Sequence, residues 1–369
     1  MSFTYAEKIT PFTLSPTALD DYLARGWYRM GASIFTTHFL FFQGEVYSAI
    51  WIRLDLQDFK FSKRQRKLLR KNAAIFDVAT NQRVIDAERN EVYTAYAEDF
   101  DGRLSPSIED SLEDYGDNSV FNTWETTIRV KNNGQLVGAS YFDVGDQAAA
   151  SILGYYLPQM KPFSLGYYTM LLEIQYCLDN GIRYYYPGYV VPGYGRFDYK
   201  LRLGASEYYD VRADAWLPVP EGADFSSGPT EVQRGALEAL AVQLRATEGV
   251  AGTEMENTRV LTYPLFEAGL YDVWTDDYLP YPYLLVISGY GSQTLLIVTY
   301  DPRERLYLLL VCSHLHQTQL MFNVQHLQED GESNFFTDLL AIRRVVHATA
   351  DVGDTAGICL LFQNIIDKI

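Results

Sequence analysis

Two side chains with the chemistry to hold an anion stand four residues apart: Arg196 and Lys200, in a segment that follows a tyrosine-rich run. If this segment is helical the two cations are neighbours, and if it is extended they share a face. In either conformation both can reach one carboxylate through charge-assisted hydrogen bonds. The alternative is that each is a structural ion-pair partner of Glu207 or Asp210.

A second concentration of cations lies between Lys60 and Asn72, in a chain whose net charge is −17. Such an acidic chain is no general nucleic-acid coat, so any contact with phosphates has to be local. Ser62 can cap a helix here, with Leu68 and Leu69 facing inward. The exposed sides would carry a basic face that can follow phosphates, made of Lys63, Arg64, Arg66, Lys67, Arg70 and Lys71. The alternative is a plain solvated helix.

A strand, helix, strand pattern positions the first pair of cations. Residues 148–157 and 182–191 read as strands, and Ser164 starts a helix of about four turns that stops at Asn180-Gly181. A connection of this length makes the two strands parallel and the crossover right-handed. Ligands of such units bind at the carboxyl ends of the strands, where the sequence places Arg196, Lys200 and several of its 29 tyrosines.

Several segments in this order carry a family resemblance: Leu136–Ala139, Phe163–Tyr168, Leu171–Ile174, Tyr185–Val191 and Arg196–Lys200, with Gly26–Gly31 and Ser62–Lys67 before them. Together they resemble the N-end-rule aminoacyl-tRNA–protein transferases, which comprise the arginyltransferases and their bacterial leucyltransferase relatives. The resemblance covers roughly Leu19 to Asp210.

The resemblance implies a GNAT-like acyltransferase core. Together with the elements predicted past residue 260, it leads us to expect an α+β fold with a smaller α/β C-terminal extension. It implies transfer of arginine or leucine from aminoacyl-tRNA to the α-amine of proteins with N-terminal Asp or Glu, marking them for N-end-rule degradation. No cofactor is expected. The expected substrate-binding residues are Arg196, Lys200, Tyr189, Tyr156, Ser164, Gly166, Tyr167 and Tyr199, and the expected RNA-binding residues are Lys63, Arg64, Arg66, Lys67 and Arg70. Tyr155 is a further candidate, and no catalytic residue is assigned.

The sequence departs from the family pattern at two places. Relatives usually carry clustered cysteines, associated with a metal or iron–sulfur site, where residues 34–50 offer only His38. They also often carry an acid where Leu157 stands. We therefore predict no metal cluster at His38. The alternation of Cys312, His314 and His316, with His326 beyond, could make a metal site, but polar residues at a strand end are the expected reading.

Length and composition suggest two domains in the 369 residues. We predict a transferase region at 1–215, with the basic helix in 1–120 and the βαβ core in 121–215. Ser15 as N-cap and Pro16 at the first helical position predict a short helix that ends at Gly26. A linker and helix follow at 216–260, and an accessory domain of unknown role at 261–369. In this last part we predict strands at 283–288, 294–300 and 306–311 and a helix at 335–349. Three distant cysteines indicate a reducing compartment. Residues 1–10 lack the apolar core of a signal peptide, so we expect a cytoplasmic protein that does not bind membranes.

Two other functions stay open at this point. A coenzyme A-dependent N-acyltransferase would need a glycine-rich phosphate cradle at the start of the crossover helix, whereas residues 158–166 contain one glycine and two prolines. A noncatalytic reader of N-terminal peptides or tRNA would keep the cations and transfer nothing.

Overall fold

The computed structural model describes residues 5–42, 45–100, 104–113, 120–220, 228–246, 259–264, 266, 278–290, 294–315, 335–336 and 338–350. In this part of the chain, no helix combines the length and the apolar character needed to cross a bilayer. The fold is a mixed α/β arrangement built on two large sheets.

The α-helices, in chain order, are α1 (Pro16–Ala24), α2 (Lys63–Ala73), α3 (Ala87–Asp99), α4 (Ile108–Leu112), α5 (Leu165–Asp179) and α6 (Pro229–Ala246). Of the 3-10 helices in the described residues, Pro158–Phe163 lies directly before α5, and Gly195–Arg202 follows the second strand of the crossover unit. The first half of the strands comprises β1 (Ala6–Ile9), β2 (Tyr28–Met30), β3 (Ser33–Thr37), β4 (Phe39–Phe42), β5 (Glu45–Ser48), β6 (Ile50–Asp55), β7 (Phe76–Gln82), β8 (Thr123–Val130) and β9 (Leu136–Val144). The second half comprises β10 (Ala148–Tyr156), β11 (Tyr184–Val190), β12 (Glu207–Asp210), β13 (Ala215–Pro218), β14 (Val260–Thr262), β15 (Tyr283–Tyr290), β16 (Thr294–Asp301), β17 (Leu306–His314) and β18 (Leu340–Ala350).

The larger sheet has eight strands in the order β13-β12-β6-β11-β10-β9-β8-β7. β10 and β11 are parallel, and α5 connects them. The other neighbours in this sheet are antiparallel. The predicted strand, helix, strand unit is therefore confirmed.

The two parallel strands separate after only three pairs, Ala148–Ala150 with Tyr184–Tyr186. Past this point β10 stays with β9 after an irregularity at Ser151, and β11 pairs with β6 after a second irregularity that ends at Gly188. β-bulges bend strands and re-aim side chains. The result is a wedge-shaped gap at the carboxyl ends of β10 and β11.

Alternating side chains bury both faces of the sheet around this gap. Ala149 and Tyr185 pack into the core under α5, whereas Ala148, Ala150 and Tyr186 pack into the core on the opposite face, with α1. Every residue of β9 is buried. A sheet covered on both faces is rigid, which holds the gap in a fixed shape.

The second sheet, β14-β15-β16-β17-β18, is antiparallel and packs against α6. Its core also takes Tyr5, Phe39 and Val46 from the start of the chain. The predicted strands at 283–288, 294–300 and 306–311 are confirmed. The helix predicted at 335–349 is wrong, because the β-branched residues of 340–350 instead pair as a strand with β17.

Capping explains why two helices form where the sequence predicts them. The Ser15 hydroxyl caps α1, and Ser62 with Gln65 forms a reciprocal capping box at the start of α2. Ser164 occupies the N-cap position of α5, but its backbone is left-handed and its side chain makes no capping hydrogen bond. The capping role predicted for the Ser164 side chain is therefore wrong, since the preceding 3-10 turn sets its conformation.

Candidate active site

Two adjoining cavities open at the gap between β10 and β11. We name them the Lys200 cavity, of about 440 Å³, and the Tyr167 cavity, of about 700 Å³. Both are lined by Tyr96, Phe100, Ser151, Gly154, Met170, Arg196, Phe197 and Tyr199. These shared walls place the two cavities back to back at the carboxyl ends of the parallel strands.

Lys200 is a buried cation in the wall of the first cavity. Its side-chain amine donates a hydrogen bond of 3.1 Å to the Tyr189 carbonyl and lies 5.0 Å from the centre of the Phe197 ring. Burial lowers the pKa of this amine to about 7. Among the described residues no carboxylate pairs with it, so the alternative for Lys200, an ion pair with Glu207 or Asp210, is wrong: Glu207 binds Arg53 instead.

Gly188 makes room for this lysine. A Cβ added at Gly188 would lie 3.0 Å from the Lys200 amine nitrogen, and the glycine has a φ of +99°, which L side chains rarely adopt. The irregularity in β11 thus places the backbone of Gly188 next to the Lys200 amine. A buried amine held in this way is ready to receive a negatively charged group that enters the cavity.

Arg196 lies on the wall that the two cavities share. Its guanidinium stacks over the Phe100 ring at 4.0 Å, and it contacts the Tyr194 hydroxyl at 3.5 Å. The 3-10 helix therefore brings Arg196 and Lys200 to one cavity, as the sequence spacing predicts.

The Tyr167 cavity opens beside the basic helix α2. Ser62, Arg64 and Gln65 form one side of it, and the N-terminal turn of α5 contributes Ser164 and Gly166. Amides in a first helical turn have no acceptor within the helix and can bind an oxyanion. Arg202 is exposed on the same rim.

Gln65 fixes α2 to this rim. Its buried side-chain amide donates to the Tyr167 hydroxyl at 3.0 Å and to the Leu203 carbonyl at 2.8 Å, and the Tyr167 hydroxyl in turn donates to the Arg202 carbonyl. Six basic side chains of α2 are exposed: Lys63, Arg64, Arg66, Lys67, Arg70 and Lys71. The basic face thus exists and adjoins a cavity, while Leu68 and Leu69 are half-buried as predicted.

The structure places all eight sequence-predicted substrate residues on one or both cavities. Tyr155 is different, since its ring packs in the core against Tyr93 and Tyr141 and lines neither cavity. The sequence pattern missed Ser151 and the cavity wall provided by Tyr96 and Phe100. Ser151 sits at the strand irregularity, which has no strong local signal.

His38 is buried, and its ring lies parallel to the Tyr209 ring. Burial and the nearby Arg303 charge lower the pKa of His38 to about 4. Within the described residues, no three His, Cys, Asp or Glu side chains are grouped closely enough to hold a metal. His316 and His326 lie outside the described residues, and the His314 ring is 3.3 Å from an Asp338 oxygen.

Residues 88–210 match the family model described as "Arginine-tRNA-protein transferase, C terminus". This segment contains β8 to β12. It also contains every residue that lines the two cavities, apart from the lining residues before residue 88. The class of protein is accordingly an aminoacyl-transferring enzyme.

Curated relatives agree with this class. The chain is 26% identical over 199 residues to the aspartate/glutamate leucyltransferase of Paracoccus denitrificans, covering 47% of this chain and 66% of the relative. It is 27% identical over 187 residues to the protein of the same name from Vibrio parahaemolyticus, covering 49% and 75%. A solved structure of FemX aligns at 11% identity over 54% of this chain and 68% of that chain, with a TM-score of 0.33. Over residues 88–210 the chain thus matches a model of the N-end-rule aminoacyl-tRNA–protein transferases, the family that its motifs resemble.

Proposed function

We propose that the protein transfers leucine or arginine from aminoacyl-tRNA to the α-amine of proteins with N-terminal Asp or Glu, marking them for N-end-rule degradation. The observation that carries this proposal is the pair of cavities that meet at the separated strands. One opens beside a basic helix, and the other contains a buried amine that has no carboxylate partner among the described residues. The names of the relatives agree with both proposed substrates, the aminoacyl-tRNA and the protein with an acidic first residue.

The donor is assigned to the Tyr167 cavity. Arg64 and Arg202 line it, and the other exposed cations of α2 lie on the same helix, where phosphates of the tRNA acceptor end can bind. Tyr156, Tyr167 and Tyr199 provide aromatic faces inside it, on which the terminal base can stack. The aminoacyl ester then points to the wall shared by the two cavities.

The acceptor is assigned to the Lys200 cavity. An acidic first side chain entering it meets the Lys200 amine directly and the Arg196 guanidinium at the shared wall. A carboxylate close to Lys200 raises the pKa of that amine and keeps it charged, so that acidic peptides create their own ion pair. The aromatic rings of Tyr189 and Trp51 line the same cavity.

The chemistry requires a neutral α-amine to attack an ester carbonyl. A free α-amine has a pKa of about 8, so part of it is neutral at pH 7. Positioning and oxyanion stabilisation then supply most of the rate, and the first amides of α5 are suitable donors. We further propose that β8 to β11 with α5 form a GNAT-like core, that residues 1–215 make up the transferase region, and that residues 261–369 are an accessory domain joined through α6.

The segment before α5 disfavours coenzyme A as the donor. Residues 158–163 form a 3-10 helix with prolines at 158 and 162, which have no amide hydrogen. The Met160 amide donates to the Leu157 carbonyl and the Ser164 amide to the Lys161 carbonyl. Few amides are left to hold a pyrophosphate.

We expect aminoacyl-tRNA, and not acetyl-CoA, to donate the acyl group. The protein is incubated with an Asp-initiated peptide and either a mixture of charged tRNAs or acetyl-CoA, and the peptide mass is recorded. The expected result is a mass gain with charged tRNA alone, and uncharged tRNA is the control. Acetyl transfer from acetyl-CoA with no gain from any charged tRNA would contradict the assignment.

A further inference from the structure

A buried carboxylate lies behind the wall that the two cavities share. Glu173 projects from α5 toward the sheet and is fully buried, with an exposed fraction of 0%. The Tyr185 hydroxyl donates to its Oε2 atom at 2.7 Å, and Tyr185 is equally buried. The Oε1 atom has no hydrogen-bond partner within the described part of the chain.

Two serine hydroxyls approach this carboxyl group from the neighbouring strands, Ser140 on β9 and Ser151 on β10, and both lower its pKa. They differ in one respect. Ser140 is buried and lines neither cavity, whereas Ser151 lines both. Ser151 therefore connects the cavity wall to Glu173.

An acid without a cationic partner is costly to bury, so its position calls for a reason. Burial raises the pKa of Glu173 to about 7, more than the serine and tyrosine hydroxyls lower it. A group of this kind exchanges a proton at neutral pH, as a general base does. Where the strands separate, the Ser151 side chain links Glu173 to the cavity wall at which the two substrates would meet.

We propose that Glu173 accepts the proton of the attacking α-amine through the Ser151 hydroxyl. This inference rests on the proposed function and adds a proton path to it. The amine nitrogen forms a bond to the ester carbonyl carbon and passes one proton to the Ser151 oxygen, whose own proton moves to Glu173. When the bond from carbon to the ribose oxygen breaks, Glu173 returns the proton through Ser151 to that oxygen, leaving an amide and uncharged tRNA.

The other titratable groups that face Glu173 do not exchange protons near neutral pH. They are Tyr185 from β11, Tyr199 from the second 3-10 helix and Cys177 from α5 itself, and the pKa of each is raised, chiefly by burial. Lys200, in the wall of the cavity, does titrate near pH 7. Its protonation affects binding of an acidic acceptor, so saturating peptide separates its effect from that of Glu173.

The test compares Glu173→Gln, Ser151→Ala and Ser140→Ala in steady-state transfer to an Asp-initiated peptide from pH 5.5 to 8.5. We expect Glu173→Gln to lower kcat about tenfold at pH 7, less than a general base commonly contributes because part of the amine is already neutral. It should also remove the rise of kcat around pH 7 and leave both KM values unchanged. Ser151→Ala should do the same, and the double variant should be no slower than either single one.

Ser140→Ala is the matched control, because it removes a hydroxyl near the same carboxyl group but lines neither cavity. Since the Ser140 hydroxyl lowers the pKa of Glu173, we expect this variant to keep the rise of kcat, with its midpoint at a higher pH than in the wild type. Thermal unfolding shows whether each variant is folded. If Glu173→Gln is unfolded, the kcat and pH profile of Ser151→Ala alone test the proton path. An unchanged kcat and pH profile in Ser151→Ala or in folded Glu173→Gln overturns the inference, and so does reduced activity that keeps its rise around pH 7. A wild-type protein that transfers no amino acid overturns the proposed function instead.

Discussion

Replacing Lys200 by methionine is expected to lower transfer to Asp-initiated and Glu-initiated peptides about 30- to 100-fold, which corresponds to about 2 to 3 kcal/mol for a charge-assisted pair. Transfer to an Ala-initiated peptide should stay at its wild-type rate, because that substrate has no carboxylate for the amine. The affinity for tRNA should also be unchanged, since Lys200 lines only the acceptor side. Rates with matched peptides that differ in the first residue measure this effect.

The same substitution is expected to stabilise the protein. The pKa of Lys200 is lowered to about 7 by burial, so between pH 7 and the ordinary lysine range the unfolded chain binds the extra proton. Stability therefore rises with pH across this window, and the cost of the buried charge is greatest at pH 7 and below. Methionine removes this cost, on the order of 2 to 4 kcal/mol, which urea unfolding at pH 6 will show.

Lys131→Met is the matched control for the Lys200 variant. This lysine is exposed and donates to the Ala73 carbonyl away from both cavities. Its replacement should change neither the peptide preference nor the pH dependence of stability. A Lys200→Met protein that keeps the wild-type ratio between Asp-initiated and Ala-initiated peptides would show that the acceptor carboxylate binds elsewhere.

The second large effect is expected at the basic helix. The double variant Arg64→Gln and Arg70→Gln removes two exposed cations from α2 while keeping good helix formers, so the capping box and the Gln65 contacts remain. We expect tRNA affinity to fall about 10- to 100-fold near physiological salt, with a dependence on log salt that is shallower by about 1.4 to 1.8. Filter binding at several salt concentrations provides both quantities.

Arg343→Gln with Arg344→Gln is the control for charge alone. These two exposed arginines lie on β18, in the second sheet. Both double variants change the net charge from −17 to −19, so a general electrostatic effect would weaken tRNA binding equally in the two. Equal affinities and equal salt slopes for the α2 variant and the wild type would show that α2 is a plain solvated helix that does not bind tRNA.

The parts of the fold that the sequence predicts are those with strong local signals. Capping residues locate α1 and α2, apolar periodicity locates α5, and the length of the crossover predicts the parallel pairing of β10 and β11. Segment 340–350 lacks such a signal, because its short apolar pattern suits a helix or a strand and its pairing with β17 decides between them.

The sequence predicts the part of the site that consists of charged residues. Arg196 and Lys200 stand out by type and spacing, and the structure brings them to one cavity. Ser151 and Glu173 do not stand out, since their roles depend on where the two strands separate and on what lies behind the gap. The burial that sets the pKa of Lys200 and of Glu173 is likewise a tertiary property.

Mass measurement of transfer tests the central assignment most directly. The wild-type protein is incubated with tRNA charged with leucine or with arginine, and with three peptides that begin with Asp, Glu or Ala and are otherwise identical. We expect that one of the two amino acids is added to the Asp and Glu peptides, and that the Ala peptide gains it far more slowly. Binding of tRNA and peptide with no gain in mass on any peptide would contradict it, and would identify the protein as a noncatalytic reader of these ligands.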